Sequence, residues 1–141
     1  MSCASGFSRR AWLGGVIAAA LVFAPGLAHA GSYLDRAAVL VGSATRDAEF
    51  LRKRLSDKEL AKTLNKIAAA RVEAARTMYV PPEIAKAHPH LMLVLENFER
   101  ATFAATQGEA TKFLEYVQKA RDEESILRGI LKQHGWTLPE A

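Results

Sequence analysis

Between Leu34 and Leu131 the apolar residues return at steps of three and four, in four blocks separated by breaking or capping signals. A helix turns once every 3.6 residues, so each block projects its apolar side chains from one side. No block alternates with the period of two that a strand requires. The first, residues 32–55, is seamed by Leu34, Ala37, Val41, Ala44, Ala48, Leu51 and Leu55. Most of these are alanine or valine, so a neighbouring helix can come close. Ser56-Asp57-Lys58-Glu59 reads as a capping box, in which the serine hydroxyl and the Glu59 carboxylate each satisfy a free backbone N–H. It predicts a second helix seamed by Leu60, Leu64, Ile67, Ala70, Ala74 and Met78.

Tyr79-Val80-Pro81-Pro82 stops that helix, because proline lacks the N–H and disfavours helix in the residue before it. A short helical turn near residues 84–87 is expected next. His88-Pro89 opens a third helix seamed by Leu91, Val94, Phe98, Ala101 and Ala105, with Leu95 and Phe103 widening its apolar side. Gly108 breaks it. A fourth helix over residues 109–134 is seamed by Ala110, Phe113, Val117, Ala120, Leu127 and Leu131. Gly135 suits a left-handed cap, with Trp136 folding back on the last turn. Short connections force antiparallel neighbours, so the predicted architecture is all-α, an antiparallel up-down-up-down four-helix bundle.

What precedes the first block is of another kind. Residues 11–24 carry no charge but are fewer than the about 20 apolar residues that span a bilayer. A basic flank, this apolar centre, the Pro25-Gly26 break and the small residues Ala28 and Ala30 describe a secretory signal peptide over residues 1–30, cut after Ala30. The folded domain would then be residues 31–141, exported to the periplasm or beyond, with no permanent membrane anchor. Ser8-Arg9-Arg10-Ala11-Trp12-Leu13 resembles the twin-arginine signal, with Arg9 and Arg10 as the pair. Gly14 stands where that pattern usually has lysine, and no basic residue lies just before the cut. The general secretory route and an uncleaved anchor are the alternatives.

Composition then removes whole classes of chemistry. The chain has 19 Lys and Arg against 15 Asp and Glu, and losing Arg9 and Arg10 leaves 17 against 15. That near-balance argues against nucleic acid as a partner. The single cysteine, Cys3, leaves with the signal. Disulfides, thiolate zinc sites, iron–sulfur clusters and covalently attached c-type haem are thereby excluded from residues 31–141. There is no nucleophile elbow, no phosphate-cradling glycine loop and no His-Glu-x-x-His, which points away from an enzyme.

Three constellations remain. In an up-down bundle one end collects Tyr33, Met78, Tyr79, His88, His90, Met92, His134 and Trp136. Imidazole and thioether together suit copper or haem iron, so His88, His134, Met78 and Met92 are candidate cofactor ligands and His88, His90 and His134 candidate metal ligands. An exported bundle with such residues at one end loosely resembles the b-type bundle cytochromes, which would imply non-covalent haem b. The competing reading is capping and packing: His134 complements a helix dipole and the methionines fill gaps. Mid-bundle, Glu124 falls on the seam of the fourth helix, level with Arg71, Glu73, Glu96 and Glu99. A buried carboxylate needs a partner, and an Arg71–Glu124 ion pair is the expected one, with Arg100 and Arg121 as other candidates. A ferritin-like di-metal centre would need Glu-x-x-His, which the chain lacks. Finally, Arg46, Arg52, Lys53, Arg54, Lys58, Lys62 and Lys66 gather near the first turn, interrupted by Asp47, Asp57 and Glu59, as on a solvated face. The function that fits best is a binding or interaction module whose partner is another envelope protein; the alternative is a haem or copper carrier.

Overall fold

The computed structural model describes residues 25–141, with side chains described from Ala30 onward. The apolar run, Arg9 and Arg10 lie outside the described residues, as does the side chain of Ala28. Four helices follow in order: α1 (Pro25–Arg52), α2 (Lys58–Thr77), α3 (His88–Thr106) and α4 (Ala110–Gln133), with a 3-10 turn at Pro82–Ile84 before α3. There is no strand among the described residues. The fold is a helical bundle, as the apolar rhythm predicts. None of the described helices is long and apolar enough to cross a membrane.

α1 begins at Pro25, ahead of the expected start at residue 32, and runs across the expected cut. Proline costs nothing in a first turn, where its missing donor has no partner anyway. Ala30 is fully buried, so it belongs to the packed part of α1. The predicted α1 seam from Leu34 to Leu51 is buried throughout, joined by Tyr33 and Ala38. α2 is capped by Asp57 rather than Ser56: its carboxylate accepts from the Leu60 N–H at 2.9 Å. Glu59, free of a capping role, binds Lys62 at 2.7 Å.

The buried side of α2 is Ala61, Leu64, Ala68, Val72 and Ala75. This departs from the predicted seam by a rotation of about one residue, because α2 carries two overlapping apolar stripes with the same spacing. The one with more alanine faces α3, where small side chains let the helices approach. Asn65 reinforces that contact, donating to the Glu99 carbonyl and to Thr102 Oγ1, each at 3.1 Å.

α3 is the hub. It packs on all three other helices, most closely on α4 and α2. Its buried residues run from Leu91 to Ala105 and include Asn97 and Thr102, so it is covered on more than one side. Thr102 is accommodated by donating to the Glu99 carbonyl at 2.8 Å. Both α3 and α4 end in Schellman turns. Gly108 and Gly135 have φ of 74° and 80°, which a side chain would strain. The N–H groups of Glu109 and Trp136 reach back to the Ala104 and Leu131 carbonyls at 3.0 and 2.9 Å. After Gly135 the chain loses regular structure and turns back along the bundle, with Leu138 buried.

Candidate binding surface

His88, His90 and His134 have separate surroundings. His88, at the start of α3, meets the Tyr33 hydroxyl of α1 through Nδ1 at 3.1 Å. Burial pushes the Tyr33 phenol above its ordinary range and pushes the His88 imidazole down. Both shifts favour the neutral forms, so this is an uncharged clasp between α1 and α3. His90 points to α4 instead, with Nδ1 at 2.8 Å from Glu123 Oε2. His134 borders an open cleft of about 440 Å³ with Pro82, Glu83, Lys86 and Trp136. Met78 and Met92 are half-buried and pack against the core. Among the described residues no three His, Cys, Asp or Glu side chains gather at a spacing that would hold a metal. The shared end of the bundle puts these residues at one level without turning them to one point.

The expected Arg71–Glu124 pair is replaced by two others. Arg71 Nη2 donates to Asp47 Oδ2 at 2.5 Å, with the two side chains 14% and 29% exposed. Glu124 takes Arg128, one turn along its own helix, at 2.8 Å. The reason is geometric: α1 lies beside α2 and presents Asp47 to Arg71, whereas residues four apart on one helix already face each other. Glu49 of α1 and Arg121 of α4 form a further ion pair. Near the first turn Glu59 binds Lys62 as on a solvated face, and Glu73, also exposed, binds Arg76.

The outer side of α1 and α2 also leaves apolar side chains in solvent. Ile67, Ala70, Ala74 and Met78 share the second stripe of α2, and the first three are exposed. Ile67 is 42% exposed, and Val39 on α1 is 59% exposed. Between the helices lies an open groove of about 340 Å³, walled by Val39, Leu40, Ala74 and Met78 with Asp35 and Arg36 at its rim. Further along, the Phe50 ring is exposed beneath the Arg54 guanidinium, 3.9 Å from its centroid. This face offers aliphatic area flanked by charge. Such a surface suits contact with another apolar surface.

The chain matches no family model, no curated protein and no solved structure. The candidate surface therefore stands on its own geometry. The sequence held its signal in plain view, since exposed Ile67, Ala70 and Ala74 all belong to the set of α2 residues whose spacing predicts a core seam. Periodicity alone does not say which of two stripes turns inward.

Proposed function

We propose that this protein is exported, behind a signal peptide of the twin-arginine type over residues 1–30, and works in the cell envelope as a binding module. Its α1–α2 face receives an amphipathic helix of another envelope protein. The observation that carries this reading is the open groove between α1 and α2 walled by Val39, Leu40, Ala74 and Met78, with Ile67 and Ala70 exposed further along the same α2 stripe. Alanine at two of those positions lets a third helix approach to the 8–10 Å typical of helix pairs. An apolar helix laid in a groove gains affinity by removing such area from water, at about 25 cal/mol per Å². Asp35 and Arg36 at the rim give the partner an orientation, since charges at an edge set register more than strength.

The test is site-specific photo-crosslinking in cells that export the protein. A crosslinker at Ala70 should give one discrete adduct, and a crosslinker at Leu114, an exposed apolar residue on α4, should give none. Ala74→Arg should remove the Ala70 adduct while leaving helicity and melting temperature unchanged. Equal adducts from both positions, or an adduct indifferent to Ala74→Arg, would refute the α1–α2 face as the binding surface.

A further inference from the structure

The segment after α4 supplies to α1 what α4 itself does not. α1 packs on α3 and α2 and meets α4 along little of its length. Residues 138–141 reach from α4 to α1 across that gap. Leu138 is their anchor, buried to 3% exposure, and two arginines hold the backbone around it. Arg128 of α4 donates to the Leu138 carbonyl at 3.4 Å, and Arg46 of α1 donates to the Ala141 carbonyl at 2.7 Å. Gly42 forms the floor beneath the end: a Cβ there would stand 3.0 Å from the Ala141 Cβ. A cleft of about 350 Å³ remains open beside the segment, between Val41 and Thr45 of α1 and Glu124 of α4.

These contacts divide as in peptide recognition. The arginines bind main-chain oxygens rather than side chains, while burial of Leu138 in the hydrophobic core selects an aliphatic side chain. Pro139 has no N–H to leave unsatisfied and holds an extended path, and the glycine floor requires a small residue three places after the anchor. We infer that the α1–α4 groove is a receptor for an extended peptide with a leucine-sized anchor, a following proline and a small residue at the third place beyond. Residues 136–141 occupy it in cis as a strap. The inference concerns a different surface from the α1–α2 face and stands independently of it. The tether gives the cis segment an effective concentration in the millimolar range, so a free peptide competes poorly until the strap is loosened.

The probe is the capped peptide acetyl-Thr-Leu-Pro-Glu-Ala-amide, titrated against the full chain and against Leu138→Asp, which expels the anchor and leaves every groove residue intact. Trp136, the only tryptophan of residues 31–141, reports the strap's position by its emission. Leu138→Asp is expected to red-shift that emission and to bind the peptide at least ten-fold more tightly than the unaltered chain. A peptide with aspartate for leucine should not bind, and Gly42→Val added to Leu138→Asp should abolish binding. Should Leu138→Asp fail to fold, Leu138→Ala loosens the anchor more gently and must show the same order of affinities. A folded variant that binds the peptide no better than the unaltered chain, or binds both peptides alike, would overturn the inference.

Discussion

α1 has two flanks, and they are finished differently. Toward α4, the gap is closed by the chain's own tail, with Leu138 buried and Arg46 and Arg128 holding carbonyls. Toward α2, the gap is bridged by the Asp47–Arg71 pair, with Val39 to one side of that pair and Ile67 to the other left in solvent. Both flanks are lined by small and aliphatic residues, so composition does not distinguish them. What distinguishes them is a covering segment.

That contrast can be broken experimentally, and the largest effect belongs to the closed flank. Leu138→Ala should lower stability by about 2–4 kcal/mol, as for other buried leucines, read by denaturant unfolding. A loss near zero would mean that the tail is not part of the packed structure. Asp47→Ala comes next, on the open flank. It leaves a largely buried Arg71 without its carboxylate and should cost about 1–2 kcal/mol, moderated by the pair's partial exposure. A double-mutant cycle with Arg71→Ala should recover most of that loss, and additive losses would show the pair to be uncoupled.

The inner side of α1 adds a pH dependence. Burial holds His88 below its ordinary 6.5 in the folded chain, so the unfolded chain takes up that proton first as pH falls. The stability tied to a neutral His88 is therefore complete above pH 6.5 and is lost as pH drops below it toward the lower folded value. His88→Gln should flatten that part of the stability profile; an unchanged slope would place the dependence on another group. The smallest effect is expected on the bare flank itself. Ile67→Lys should alter stability by no more than about 0.5 kcal/mol, as for exposed positions without special contacts. A loss of 2 kcal/mol or more would show that Ile67 is packed after all.

How much of this was legible in advance follows from what each residue does. Helix number, the α1 and α3 seams, and the Gly108 and Gly135 turns came directly from spacing and from backbone freedom that only glycine has. The face of α2 did not, because Ile67 and Ala68 each begin an equally good stripe, and only the position of α3 chooses between them. The ion pairs of Arg71 and Glu124 were misassigned for a related reason. Depth along a bundle can be counted from the sequence, but the direction of a side chain around its helix depends on which neighbours are present. Asn65 and Thr102 gave no sequence signal as an inter-helix contact, since polar residues on helices usually face water. The seating of residues 137–141 was also invisible, and only Trp136 was expected to fold back on the last turn of α4.

The most direct test of the account is cysteine labelling along α1, since residues 31–141 contain no cysteine of their own. With Cys3 replaced by serine, Val39→Cys probes the bare flank and Ala38→Cys, buried where α1 borders the tail's cleft, probes the closed one. In purified protein Val39→Cys should react with a maleimide rapidly and Ala38→Cys slowly. In intact cells Val39→Cys should become protected, because the face is then occupied, while Ala38→Cys stays slow. Rapid labelling of Val39→Cys in both settings would contradict a binding role for the α1–α2 face.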